Sequence, residues 1–152
     1  TELRIGETAL VPIDHIGEGE VELTVTDIRR GANSEMTSVL GPDLAPSARR
    51  GAFWYVDVRI TYVSGGIGGY YLDPDVATVV SGGRQISQWN MVSGDPYAPC
   101  PSRGLPLRPR SQDSVEDCLV FQTQEGAEVT GLEFGQFETP YDIRTGDPVV
   151  WR

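Results

Sequence analysis

Few residues in this chain could carry chemistry, and their spacing narrows the choice further. His15 is the single histidine, so a Ser-His-Asp or Cys-His nucleophilic set, or a histidine-based metal site, would have to use it. It stands beside Asp14 in an expected turn and reads as a solvated loop histidine. Glu18, Glu20 and Glu22 recur at every second position, which lines one face of a strand. Acid/base work would need two carboxylates crowded or buried enough to split their pKa values, and a solvated row does not provide that. Asp73-Pro74-Asp75 could offer oxygens to calcium, yet the D-x-D-x-D-G loop is missing and a proline-led turn is the plainer expectation. Gly65-Gly66-Ile67-Gly68-Gly69 lacks the lysine of a phosphate loop and no helix follows it, so it is expected to be a flexible hairpin connection. These residues predict no catalytic group, no metal and no cofactor.

Cys100 and Cys118 are the two cysteines, and two cysteines can form a disulfide, stay as buried thiols, or serve a metal or redox centre. Their spacing is not C-x-x-C, and structural zinc wants four nitrogen or sulfur donors, more than these two and His15 supply. In an oxidising compartment a disulfide is the expected state. It would close a loop of roughly 17–19 residues and stabilise by about 3 kcal/mol in the chain-entropy model. Cys100 lies inside a long loop, Ser93 to Ser114, that holds five prolines. Within it, Pro106-Leu107-Arg108-Pro109-Arg110 has the P-x-x-P spacing of a polyproline ligand, although prolines in a tethered loop also simply restrict the unfolded chain. Arg103, Arg108 and Arg110 form the densest basic cluster of an acidic chain. Tyrosine and arginine are favoured at contact hot spots, and a stiffened loop loses less entropy on binding. Tyr97, Arg103, Arg108 and Arg110, with Trp89 at the base of the loop, are therefore the expected contact residues.

Short strands must hold these positions. Glycines and prolines are spread along the whole chain and cut it into apolar runs too short for helices. The clearest strand is Gly51 to Val63, with Trp54, Val56, Val58, Ile60 and Tyr62 expected on the core face and Asp57 and Arg59 toward solvent. Glu20 to Ile28 puts Val21, Leu23 and Val25 inward and Glu20, Glu22, Thr24 and Thr26 outward, and its period slips at Asp27 and Ile28 as at a bulge. Val115 to Gln122 and Glu128 to Gln136 are separated by Gln124-Glu125-Gly126, which predicts a hairpin turn. Pro148 to Trp151 is the last strand. Glu7 to Ile13, Tyr70 to Leu72, Asp75 to Val80 and Gln85 to Trp89 are weaker candidates, the last two joined by Ser81-Gly82-Gly83. Asn33 to Arg50 predicts a polar loop, and Ser111 to Asp117 a short helical turn at most. The expected fold class is all-β: one immunoglobulin-like β-sandwich domain over residues 1–152, of about 8–9 strands with one disulfide.

At 152 residues the chain has room for one core. A formal charge of −10 leaves no basic stripe to release counterions, which argues against nucleic acid and anionic lipid as partners. No run of about 18 apolar residues and no basic-then-apolar leader occurs. The sequence reads as a mature product whose route to a membrane would be an anchor upstream.

Gly51 to Tyr62, Gly-Ala-Phe-Trp-Tyr-Val-Asp-Val-Arg-Ile-Thr-Tyr, resembles the most recognisable strand of a family of immunoglobulin-like bacterial ectodomains of unknown function. That family is common in actinobacterial and firmicute lipoproteins and is grouped with telokin-like sandwiches and a secreted mycobacterial antigen. The opening Leu3-Arg4-Ile5-Gly6-Glu7-Thr8, the strands from Val21 to Ile28 and from Val115 to Phe121, and the terminal Val150-Trp151 are similar too. The chain departs from the pattern in its Pro and Arg loop, and at Tyr62-Val63-Ser64, where an asparagine is common. The resemblance implies a sandwich fold, extracellular placement and lipid anchoring upstream, and it transfers no catalytic residue. The expected function is a secreted or lipid-anchored, non-enzymatic binding module whose partner is a protein or glycan at the cell surface. Two alternatives stay open. One is a small glycoside hydrolase using a carboxylate pair about 5–9.5 Å apart; the other is a structural spacer, which would show no concave or aromatic-rich patch.

Overall fold

The alternating run after Gly51 becomes the central strand of a four-stranded sheet. The computed structural model describes residues 1–14, 17–41, 51–72, 76–85 and 97–152. Strand β4 (Ala52–Gly65) pairs antiparallel with β3 (Gly19–Arg30) on one side and β7 (Ser114–Thr123) on the other, and β3 pairs in turn with β2 (Thr8–Ile13). A second sheet runs in the order β1 (Glu2–Leu3), β9 (Val149–Trp151), β8 (Val129–Phe134), β5 (Val76–Val80) and β6 (Gly83–Gln85). It is antiparallel except for the β1–β9 pair.

One buried cluster joins both sheets. Val21, Leu23, Val56, Val58, Ile60, Leu119 and Phe121 from the first meet Leu132, Phe134, Val149 and Trp151 from the second. The two-residue period of β4 is what aims Val56, Val58 and Ile60 into this core, with Trp54 and Tyr62 partly buried against it. A one-residue slip would have turned the charges inward. Instead Arg59 is exposed and pairs with Glu116 at 2.6 Å, while Asp57 keeps 29 % of its side-chain surface. The expected irregularity of β3 is present: the pairing shifts between Val25 and Asp27, and the Thr26 hydroxyl donates to the Asp57 carbonyl at 3.1 Å.

Several local expectations are corrected. The chain is mostly β, as expected, but a short helix, α1 (Asn33–Leu40), stands where a polar loop was expected. The Ala32 amide donates to the Glu35 carboxylate at 3.0 Å, a cap for the first turn, and Gly41 at φ 83° ends the helix. Gln124-Glu125-Gly126 does turn the chain, with the Ala127 amide donating to the Gln124 carbonyl at 3.1 Å, but it is no hairpin. It joins β7 of one sheet to β8 of the other, because both strands have core faces to bury and pair with different neighbours. Thr24, expected outward, is buried, its hydroxyl 2.7 Å from that of Thr8 on β2. Tyr70 and Leu72 are buried in irregular chain rather than in a strand. Ser111 and Gln112 form a turn, not a helical one, with Gln112 at φ 72° and β7 starting at Ser114. The Ser81-Gly82 turn does connect paired strands, β5 and β6. His15, Asp73-Pro74-Asp75, Trp89 and most of the Gln85 to Trp89 candidate lie outside the described residues.

Candidate functional site

Beyond its core-facing side chains, β4 presents Phe53, Tyr55 and Asp57 to the opposite side, and this side is not left to solvent. Phe53 and Tyr55 are buried in a second, smaller cluster with Met36, Cys100, Cys118 and Val120, against which Val39 and Tyr97 pack. The cover comes from α1 and from the segment Tyr97 to Asp113, here termed the strap. Cys100 and Cys118 are joined by a buried disulfide with their Cα atoms 5.2 Å apart, so the strap is bonded to β7. A buried disulfide suits an oxidising compartment.

Polar groups fix the beginning of the strap. The Tyr55 hydroxyl donates to Glu35 Oε2 at 2.5 Å and lies 2.6 Å from the Tyr97 hydroxyl, with the two rings edge to face. With the Tyr55 proton given to the carboxylate, Tyr97 is the donor between the two hydroxyls. Burial, then the bond to Glu35, pushes the Tyr55 hydroxyl far above the ordinary tyrosine value; burial raises Tyr97 too. Arg29 ties three parts together. Its guanidinium lies 4.7 Å from the Tyr55 ring centre, its Nε donates to Asp57 at 3.0 Å, and its Nη2 donates to the Pro99 carbonyl at 2.8 Å. The bond to Asp57 holds Arg29 above its usual pKa.

Further along, a buried carboxylate does the fastening. Asp117 Oδ1 accepts from the Arg103 amide at 2.7 Å and the Cys118 amide at 2.9 Å. Burial raises the Asp117 carboxyl above the ordinary range, while those amides, the Leu72 amide and the Ser102 hydroxyl oppose the shift. The Leu105 amide then donates to the Tyr70 carbonyl at 2.7 Å, and the Gly69 amide donates to the Pro106 carbonyl at 3.0 Å. Leu105 itself is buried in the core shared by the sheets. The glycine run proves to be a packing seam rather than a flexible hairpin: Ile67 is buried, and a Cβ on Gly68 would lie 2.0 Å from the Leu107 carbonyl oxygen. The strap ends where the Arg110 amide donates to Asp113 Oδ2 at 2.7 Å and the Tyr62 amide donates to the Asp113 carbonyl at 2.8 Å.

What the strap leaves outside is specific. Arg103, Arg108 and Arg110 are exposed, and their guanidinium groups form no ion pair with a described residue. Seven residue steps separate the outer two, so all three lie within about 25 Å. Leu107 is 85 % exposed at the tip, and Tyr71, next to the Tyr70 that pairs with the strap, is 51 % exposed. Tyr97, expected as a contact, turns inward and serves as an anchor. Leu107 and Tyr71 were not among the expected contacts; an apolar residue framed by Pro106 and Pro109 was the available signal for the first.

Buried carboxylates occur elsewhere among the described residues. Asp142 is a loop organiser whose oxygens accept from the amides of Arg144 at 2.7 Å, Glu138 at 3.0 Å and Thr145 at 3.2 Å, and its carboxyl is lowered mainly by the Arg144 amide. Glu133 lines a cleft of about 530 Å³ together with Ser81, Thr130, Val150 and Arg152, and is the one carboxylate among its described lining residues. Glu18 and Glu20 are exposed, Glu22 is half-buried, and Asp14 accepts from Gln136 Nε2. No family model, curated protein or solved structure matches the chain. Its function has to be inferred from its own geometry.

Proposed function

We propose that this chain is an immunoglobulin-like extracellular domain of a secreted or lipid-anchored bacterial protein, and that it acts as a non-enzymatic binding module through the strap. The observation that carries this reading is the pairing of many anchoring bonds with exposure. A segment bonded to the rest of the fold at Tyr97, Pro99, Cys100, Arg103 and Leu105 holds an apolar tip and three guanidinium groups, without an ion pair among the described residues, in solvent. Conformational entropy usually opposes loop-mediated binding, and much of that cost is already met on folding. The buried disulfide and the two sheets sharing a core support the compartment and the fold class.

Replacing Arg103, Arg108 and Arg110 by serine tests it. These exposed changes are expected to shift stability by no more than about 0.5 kcal/mol each, while partner capture from a cell-surface extract weakens and loses salt dependence. Unaltered capture by a stably folded variant would overturn the proposal. A glycoside hydrolase is the second reading, carried by the cleft at Glu133. The chemistry needs a carboxylate pair, and the described lining supplies one carboxylate, so the strap is the better supported site. The spacer alternative, which required a surface without concave or aromatic-rich patches, does not account for the cleft at Glu133.

A further inference from the structure

Resting on the strap as the contact surface, we infer that its partner is an acidic polypeptide segment carrying an apolar side chain between carboxylates. Two features of the strap specify two features of the occupant. The residues from Tyr97 to Gln112 contain three arginines and no aspartate or glutamate, on a chain whose formal charge is −10. Local positive charge in an acidic surround selects a ligand that places carboxylates at that spot and projects little negative charge beyond it, since screening confines each interaction to about 8 Å at physiological ionic strength. A short acidic segment meets that condition better than a long polyanion, which would run on over the acidic surface.

The apolar tip decides the class. Leu107 is 85 % exposed between Arg108 and the proline that binds Gly69, and its carbonyl rests on Gly68 with no room for a side chain beneath. The leucine is thereby held outward on a backbone that cannot settle back, with the half-exposed Tyr71 nearby along the same seam. A polysaccharide or a phosphate-rich polymer is polar along its length and gains less from covering a leucine. A polypeptide carrying an apolar side chain gains most, because covering one leucine side chain is worth roughly 1.5–3 kcal/mol, more than the 0–1 kcal/mol of an exposed ion pair. The arginines then set register and approach, and Leu107 sets affinity.

The experiment is an amide-resolved NMR titration of the intact chain with four probes. These are a peptide of about eight residues, the extended length of the Arg103 to Arg110 span, with glutamates on both sides of one tryptophan; polyglutamate of equal length; polygalacturonate; and phosphatidylglycerol vesicles. The peptide is expected to shift Arg103 to Arg110 and Tyr71 saturably. Leu107→Ser should weaken it by about tenfold or more, and Arg108→Ser alone by no more than about fivefold. Both variants change exposed side chains, and unchanged shifts elsewhere in their spectra establish that they fold. Polyglutamate or polygalacturonate binding at the strap as tightly as the peptide, or a silent Leu107→Ser, would overturn the polypeptide assignment while leaving the strap as the contact surface. Vesicle binding at the strap without peptide binding would do the same. Failure of all four probes to shift the strap, with partner capture mapping elsewhere, would overturn the strap itself.

Discussion

Val56, Val58 and Ile60 on one face of β4 lie among side chains from both sheets, whereas Phe53 and Tyr55 on the other lie under α1 and the strap. The first face is apolar and closed by strands whose own alternation dictates the contact. The second mixes apolar surface with a disulfide, a cation over a ring, and hydroxyls bonded to a carboxylate. Apolar burial is non-directional and suffices to bring sheets together. Seating a proline-rich segment in one place takes directional bonds as well, and that is where the second face places them.

The largest expected effect is on the apolar face. Ile60→Ala should cost about 2–5 kcal/mol in chemical denaturation. A loss under about 1 kcal/mol would mean that β4 does not sit at the centre of the shared core. Next comes the strap: Cys100→Ala with Cys118→Ala should cost about 3 kcal/mol, the loop-closure value for a separation of 18 residues. The two substitutions should differ in kind. Losing the disulfide should open the strap to proteolysis well before global unfolding, while Ile60→Ala should leave cleavage and unfolding coupled. Identical cleavage patterns in the two variants would erase the distinction between the faces.

A smaller effect separates two carboxylates by sign. Burial holds Asp117 above the reference value of 3.8, so the native chain binds that proton more tightly than the unfolded one. Through this group, stability falls as pH rises from 3.8 through the raised value, and is level outside that window. Asp142 is lowered by the amides of Arg144 and Glu138, so its contribution is present above 3.8 and is lost as pH falls through its lowered value. The wild-type advantage over Asp117→Asn should therefore shrink with rising pH, and that over Asp142→Asn with falling pH. Urea denaturation across this range measures both, and slopes of the same sign would contradict the placement of one of them.

The register of β4 was legible in the sequence because Asp57 and Arg59 interrupt an otherwise apolar run at the right period, and β3 was legible for the same reason. The pairing of Cys100 with Cys118 followed from their count and from the expectation of an oxidising compartment. The second cluster was hidden, because Met36, Phe53, Tyr97 and Val120 come from four separate segments and no local period links them. Helix α1 escaped for a related reason: eight residues rich in Ser, Thr and Asn carry a weak stripe, and the apolar surface that its Met36 meets comes from distant segments, β4, β7 and the strap. The arginines of the strap were visible as a charge contrast. Their rigidity was not, since it depends on Asp117 and Gly68, each of which looks unremarkable alone.

Amide hydrogen exchange at Arg103, Leu105 and Gly69 tests most directly whether the strap is a built part of the fold. Their amides donate to Asp117, to the Tyr70 carbonyl and to the Pro106 carbonyl. The expected result is protection within about tenfold of the β7 amides of Leu119 and Phe121, which face β4, lost selectively when the disulfide is removed. Exchange of all three at the rate of an unstructured chain, with β7 still protected, would show a tethered but mobile loop and would contradict the account.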